Sequence, residues 1–581
     1  MSELRAGDTP ANRGLDAWSV ALFALALVAL FAGMGMRAPW PADEPRFAQI
    51  AREMVESGQW LFPTRGGEYY PDKPPVFMWL VAACYQLLGS LKLAFLLPSA
   101  LAGLGTAALV FDLGRRLWST RVATLAVLAL VFTPQFLLQA KAAQIDALVC
   151  FWITLGCYGL IRHFVLGPSW RWYGVAFVAM ALGIMTKGVG FLPVLMLIPL
   201  AIWRREVSAD ATGRVWSARA WWGLALLLLT LACWLVPMLL TVQAEGTAEL
   251  EAYRNNILFR QTAQRYANAW GHIRPWHYFL SQGIPVVWLP LVLLLVPQWR
   301  MLGQLSRQDA RARVLLGWVA LVVLFFSLSS GKREVYIFPA LPMLSLVVAA
   351  TWDRVEMAGR GGWTAGLLRL VVLLLGAALL GLGAWLLVSP GELVAKAREY
   401  GEALQSMAWP FMVLGAVVFA AVALTWRRGL FQQLAWVSVL CWVFVALWIW
   451  PLMDPHRTPR NVMDALEQKV PASTEVGLIE FKEQLLLFTH RPLTHFSYLA
   501  PVQAQERNAW QWMKEAPASR GIVVPDGLKL SCFNMGRSQR LDNAHRRDWL
   551  WLDASAMRES CELPETSRRY HYAPQRMDIL E

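Results

Sequence analysis

For about its first 450 residues the chain alternates long apolar runs with short polar breaks, and then it changes character. Fourteen runs can be read, at 17–36, 75–89, 92–111, 121–138, 146–165, 173–186, 189–203, 221–241, 284–297, 312–330, 335–351, 365–388, 409–425 and 430–452. Most approach the roughly twenty residues that a helix rising 1.5 Å per residue needs to cross about 30 Å of hydrocarbon. The pattern predicts an α-helical polytopic membrane protein. From 453 to 581 the composition is mixed. Glu475–Ile479, Gly521–Val524 and Trp549–Leu552 read as strands, and Arg460–Lys469 and Val502–Glu515 as helices, which predicts a small α/β domain.

Arginine-rich breaks orient the spans. They hold Arg115, Arg116 and Arg121; Arg162 and Arg171; Arg204, Arg205, Arg214 and Arg219; Arg300, Arg307, Arg311 and Arg313; Arg354, Arg360 and Arg369; and Arg427 and Arg428. These fall on one side of the membrane, the cytoplasmic side by the positive-inside rule, only if one early run does not cross. The run 75–89 is short, opens at Pro74-Pro75 and closes at Gly89, so it is expected as a helix at the outer interface. About 13 transmembrane helices then remain. Residues 1–16 form a cytoplasmic N-terminus, because Arg5 and Arg13 precede an apolar run too long for a signal-peptide core. Residues 17–452 form a transmembrane catalytic domain, and 453–581 lie outside.

This topology gathers the loop 37–91, the turns 139–145, 187–188 and 331–334, and the loop 242–283 on the outer face. The unusual polar residues fall in those segments. A carrier or flippase would place its ionisable residues near the bilayer midplane, on interrupted helices. Clustering at one interface favours an interfacial enzyme.

Composition agrees. Only 16% of residues are charged and 57% are hydrophobic, against about 25% charged in ordinary soluble domains. The excess of 53 Lys and Arg over 40 Asp and Glu, a net +13, sits beside apolar blocks as an orientation signal, so no nucleic-acid partner is expected. Of the seven cysteines, Cys84, Cys150, Cys157, Cys233 and Cys441 lie in apolar stretches without the spacing of a metal or redox site. Cys532 and Cys561 can pair if the tail is outside the cytoplasm. The 31 tryptophans suit interfacial belts.

The first outer loop carries Asp43-Glu44-Pro45-Arg46-Phe47-Ala48 and, further on, Asp72-Lys73-Pro74-Pro75. Pro45 suits a first helical turn, with Asp43 and Glu44 placed to cap it. Phe47, Ile50, Ala51 and Met54 then share a face, which predicts an amphipathic helix along the membrane surface, ended by Gly58. Taken alone, the acids read as caps or as a general base, and Lys73 as a snorkelling lysine or a phosphate ligand.

Together these segments resemble the paired signatures of the bacterial aminoarabinose transferases of lipid A. These are polyprenyl-phosphate-dependent membrane glycosyltransferases of the GT-C fold, related to protein O-mannosyltransferases. The resemblance extends to Asp146, Thr186-Lys187-Gly188, Gln264-Arg265-Tyr266 with His272 and Pro275, and Gly331-Lys332 leading to Tyr336 and Pro339. It implies an inverting transferase that moves a monosaccharide, such as 4-amino-4-deoxy-L-arabinose, from undecaprenyl phosphate to lipid A or a related glycolipid phosphate. The implied location is the outer face of a bacterial inner membrane, with the active site and the C-terminus facing the periplasm.

Asp43 and Lys73 are then the catalytic candidates. Arg46, Lys187, Arg265 and Tyr336 are expected at the donor phosphate, where cations stabilise the leaving group, and Glu44, Asp146 and His272 at the acceptor or sugar. A protein acceptor would require Asp43 as a general base. Three positions depart from the family: Asp72 where Glu is common, Thr262 where a His is common, and Phe47 where Tyr is common. The first two belong to a divalent-metal site in the family. A hydroxyl in place of an imidazole removes a good zinc ligand, so no cofactor is expected to be required; a divalent metal stays open as the alternative, with Asp72 as its ligand candidate and His272 or His277 as substitutes for the missing imidazole.

Overall fold

The computed structural model describes residues 17–207, 218–264, 272–388, 401–545, 547–564 and 566–574. The chain enters through α1 (Ala17–Phe31), then the loop helix α2 (Glu44–Ser57), a two-residue hairpin of β1 (Thr64–Arg65) and β2 (Glu68–Tyr69), and α3 (Val76–Leu88). A bundle follows: α4 (Leu97–Leu117), α5 (Thr120–Val131), α6 (Pro134–Ala140), α7 (Ile145–Phe164), α8 (Trp170–Lys187), α9 (Trp221–Glu245), α10 (Ala310–Leu328), α11 (Leu341–Met357), α12 (Gly362–Val388), α13 (Ala408–Leu424) and α14 (Leu430–Phe444).

Among the described residues, eight helices are long and apolar enough to cross a membrane, or nine if α5 and α6, bent by 72°, make one span. That is fewer than the thirteen expected. The run 189–203 breaks into a 3-10 turn around Pro193 and a short helix. The run 284–297 breaks at Pro290 into pieces of four and five residues. The runs at 17–36 and 173–186 give the 15-residue α1 and the 18-residue α8, whose ends carry Arg171 and Lys187. An apolar composition does not register a proline that removes a helical hydrogen bond. The run 75–89 forms the 13-residue α3, closed by Gly89 in the left-handed region at φ 69°.

The helices pack by close approach as well as by apolar bulk. A Cβ on Gly415 of α13 would lie 2.7 Å from the Gly376 carbonyl of α12, the small-residue contact that lets spans meet without a hydrophobic driving force.

The tail forms a mixed sheet. It contains α15 (Arg460–Lys469), β3 (Glu475–Leu478), α16 (Glu483–Leu487), β4 (Leu493–His495), α17 (Val502–Glu515), β5 (Arg520–Pro525), β6 (Gln539–Ala544), β7 (Arg547–Leu552) and β8 (Tyr570–Tyr572). The order is β6-β7-β5-β3-β4-β8, with β3 parallel to both β4 and β5 and the remaining pairs antiparallel. The three strands and two helices expected in the tail are all present. Cys532 and Cys561 form a disulfide.

The sheet does not stand apart. One apolar cluster joins Phe47, Ile50 and Met54 of α2 and Phe77 of α3 to Leu485, Val476 and Val523 of the tail. Gly58 ends α2 as expected, at φ 71° with its N–H on Met54 O. Yet α2 is not a helix with one face left in water. Arg52 is fully buried because the tail covers it, its guanidinium donating to the Leu486 carbonyl at 2.5 Å, and Glu53, 5% exposed, is enclosed by the hairpin. Glu53 accepts from Gln49, Thr64 and the Gly66 and Gly67 amides, which fixes the hairpin turn.

Candidate functional site

Asp43 is the N-cap residue of α2, but its side chain makes no capping hydrogen bond. It turns instead to Arg46, 3.4 Å away. Arg46 also reaches Glu483 at 3.4 Å, and Glu483 pairs with Arg65. Glu483 is 3% exposed. Burial favours its neutral form, but Arg65 and Arg46 override this and hold the carboxyl below its ordinary value. Burial likewise works against the Arg46 charge, while Tyr70, Glu483 and Asp43 raise its pKa above the usual value. Tyr70, wholly buried beside Arg46, has its hydroxyl pushed up by burial and by Asp72. Asp43 thus sits in a frame whose far corner belongs to the tail.

Glu44 occupies a different environment. It takes Arg37 at 2.5 and 2.8 Å, the Trp40 amide at 2.8 Å and the Ala143 amide at 2.9 Å, and it is 5% exposed. Its acceptor positions are used within the protein, so the structure gives it a bracing position where the sequence suggested contact with sugar or acceptor. The neighbouring Lys141 donates to the carbonyls of Ala29 and Ala32 at 2.7 and 2.6 Å, closing the C-terminal end of α1. Burial and the adjacent Arg37 lower its pKa to about 7. The Ala143 amide lies three residues before Asp146, so Glu44 ties the Asp43 turn to the start of α7.

At that start Asp146 meets Lys187, the last residue of α8, at 2.5 Å, and Lys187 lies 5.0 Å from the ring centre of Tyr336. Three residues far apart in sequence are thereby brought together. His272 joins through backbone. Its carbonyl accepts from the Lys332 amide at 2.9 Å, Ile273 bridges to Gly331, and Lys332 Nζ donates to the Arg274 carbonyl at 3.0 Å. This pairing ends just before the turn that carries Tyr336, whose neighbour Glu334 accepts from Tyr278. His272 itself has φ 58°, in the left-handed region.

Lys73 and Asp72 are half-buried in the turn leading into α3. Arg265 lies outside the described residues, and Thr262 lies where side chains are not described. Among the described residues, no group of three or more His, Cys, Asp or Glu, Asp72 included, is placed to hold a metal ion.

Sequence reasoning missed Glu483, Arg65, Tyr70, Arg37 and Lys141. Tyr70, two residues before Asp72, and Arg37, directly after the first span, had local signals. Glu483 opens an ordinary Glu-Gln-Leu-Leu-Leu stretch and had none.

Residues 72–240 match the family model described as dolichyl-phosphate-mannose-protein mannosyltransferase, and residues 252–433 match that of the Alg9-like mannosyltransferase family. The chain is similar to the undecaprenyl phosphate-alpha-4-amino-4-deoxy-L-arabinose arabinosyl transferase of Pseudomonas aeruginosa (strain UCBPP-PA14), 30% identical over 76% of this chain and 77% of that protein. It is 32% identical to arabinosyl transferase 1 of Pseudomonas fluorescens (strain Pf-5) over 58% of this chain, a match that spans 60% of that relative's length. Its similarity to arabinosyl transferase 2 of Pseudomonas fluorescens (strain Pf0-1), at 26% identity, covers 91% and 89% of the two chains. The fold is that of ArnT from Cupriavidus metallidurans, solved bound to undecaprenyl phosphate, with a TM-score of 0.72 at 20% identity over 93% of this chain and 98% of that one. The chain belongs to the undecaprenyl phosphate-alpha-4-amino-4-deoxy-L-arabinose arabinosyl transferase family, membrane glycosyltransferases of the GT-C fold that use polyprenyl-phosphate sugars.

Proposed function

We propose that this enzyme moves 4-amino-4-deoxy-L-arabinose from undecaprenyl phosphate to a phosphate of lipid A, with inversion. The observation that carries the reading is the assembly of Asp146, Lys187 and Tyr336 from three separate segments, tied through Ala143 and Glu44 to the turn holding Asp43. The names of the relatives supply the sugar and the donor.

In the reaction an acceptor oxygen forms a bond to the anomeric carbon as the bond from that carbon to the donor phosphate breaks. The lipid phosphate leaves with the electron pair. Cations fixed beside it stabilise that charge without reorganising, the role proposed for Lys73 and Arg46 and, from sequence alone, for Arg265. Lys187 already faces the Asp146 carboxylate, so the pair with Tyr336 suits the binding of a polar, amine-bearing sugar better than it suits a second lone cation. A lipid A phosphate is already anionic and needs no base, so Asp43 positions the acceptor or the amino sugar.

A proposed topology accompanies this chemistry: thirteen spans with the less regular segments counted, residues 1–16 in the cytoplasm, and the site and the tail from 453 onwards in the periplasm. The Cys532–Cys561 disulfide supports an oxidising side for the tail.

A protein acceptor is the second reading, favoured by the match of residues 72–240 to a protein mannosyltransferase family. A hydroxyl must lose a proton, which Asp43 would accept. Transfer assays with Asp43→Asn separate the two. A near-complete loss whose residual rate rises with pH, as hydroxide stands in for the missing base, supports a base and a hydroxyl acceptor, whereas a partial loss without a change in pH profile supports phosphate attack. Lys73→Ala, with folding intact, is expected to lower turnover at least a hundredfold. Near-normal turnover removes Lys73 from the mechanism. Mass spectrometry of lipid A and of glycoproteins, with and without the gene, identifies the acceptor directly.

A further inference from the structure

A groove of about 580 Å³ lies between α7, α8 and α9, of which α7 and α9 are long and apolar enough to cross a membrane. Its length is lined by Leu155 of α7, Val178 and Leu182 of α8, and Leu226 of α9. Its mouth is built differently. Arg171, in the first turn of α8, and Arg219, just before α9, both line it, flanked by Trp170 and Trp222. Arg219 lies 5.0 Å from the Trp170 ring centre. Among the described residues no carboxylate pairs with either arginine.

Two exposed guanidiniums at the rim of an apolar trough, between interfacial tryptophans, match an amphiphile with an anionic head and a hydrocarbon tail. Length narrows the occupant. From Arg171 to Leu182 the trough follows eleven residues of α8, about 16 Å at 1.5 Å per residue, close to half of a hydrocarbon core about 30 Å thick. That fits the acyl chain of one leaflet. The mouth lies at the end of α8 opposite Lys187. The donor's own tail, entering from the candidate site, would press its apolar end against two charges, which the cost of desolvating them disfavours.

We infer that this groove binds an anionic phospholipid of the leaflet opposite the candidate site, its phosphate held by Arg171 and Arg219 and an acyl chain laid along α8, joining α8 to α9. The test is native mass spectrometry of the full detergent-purified chain mixed with equal amounts of dipalmitoyl phosphatidylglycerol and phosphatidylethanolamine. The wild type is expected to retain phosphatidylglycerol at least fivefold over phosphatidylethanolamine. The double variant R171A/R219A is expected to lose at least fivefold of that retention, while the exposed control R360A keeps it. V178W, which fills the groove and touches neither charge, is expected to show the same loss and guards against an effect of charge removal on folding. Equal retention by the double variant and wild type, equal retention of the two lipids, or displacement of phosphatidylglycerol by one equivalent of undecaprenyl phosphate overturns the inference. None of these results bears on sugar transfer.

Discussion

Lys187, the last residue of α8, lies 2.5 Å from Asp146 in the first turn of α7. Both side chains are partly open, 21% and 14% exposed, so the pair is accessible to substrate and is screened only in part. If the two act as a unit on the sugar, removing either loses most of what removing both loses. Lys187→Ala and Asp146→Asn are each expected to lower transfer at least tenfold. The double variant should fall short of the product of the two by about 1–2 kcal/mol of coupling, well above the ~0.5 kcal/mol scatter of independent sites. Initial transfer rates of the four proteins measure this, and strict additivity would separate the residues functionally.

Glu44 is predicted to matter for folding before it matters for chemistry. Truncation to alanine leaves Arg37, 3% exposed, with no carboxylate in a buried setting. Breaking one side of such a pair costs about 3–5 kcal/mol. Thermal unfolding in detergent should therefore drop by several degrees for Glu44→Ala and less for Glu44→Gln, whose one carbonyl oxygen still accepts from either the Trp40 or the Ala143 amide. A Glu44→Ala protein that melts like wild type yet fails to transfer sugar would return Glu44 to the substrate.

What sequence made legible is local or periodic. Gly58 ends α2, and the apolar alternation of β3, β5 and β7 marks the tail sheet, because each is decided within a few residues. The convergence of Asp146, Lys187 and Tyr336 followed from topology and family signature together: Arg-rich breaks put all three at one end of their helices. Three things were out of reach. A regular count of spans overlooked Pro193, Pro290 and the bend before Pro134, where backbone geometry rather than hydrophobicity decides the outcome. The burial of Arg52 depended on a cover more than 400 residues away in sequence. Glu483 is the clearest case, since its importance comes from two arginines of the first loop and from nothing in its own neighbourhood.

Glu483 links the tail to the Asp43 turn through Arg46. Substitution by glutamine keeps the size of the side chain but removes the charge that holds both Arg46 and Arg65. With Arg46 released from one of its two carboxylates, Glu483→Gln is expected to lower transfer roughly tenfold and to speed proteolysis between the bundle and the tail. Arg46→Lys, which loses the forked geometry, should give the same loss of rate, and the two changes together should be no worse than one. Unaltered transfer in Glu483→Gln would confine the tail to a structural part.

His495 predicts how this contact responds to acid. Its Nε2 shares a hydrogen bond with the Gly66 carbonyl of the hairpin at 2.8 Å, and its ring stacks on Phe481 and Tyr570. Burial, with Arg65 adding to it, lowers its pKa from the ordinary 6.5 to about 4. Above pH 6.5 the residue is neutral whether folded or unfolded and contributes no pH dependence. Between 6.5 and 4 the unfolded chain takes up a proton that the folded chain refuses, so stability falls as the pH drops, by up to about 1.4 kcal/mol per pH unit. Glu483, whose carboxyl is held below its ordinary 4.5, loses its contribution only below that value, so measurements above pH 5 leave it out. His545, lowered in the same way by burial, and Lys141, lowered to about 7, also titrate in this window and cancel when a variant is compared with wild type. Thermal unfolding between pH 5 and 7.5 is expected to show wild type losing stability toward acid faster than His495→Phe, with the two running parallel above pH 6.5. Parallel curves over the whole range would mean that His495 takes up its proton in the folded protein.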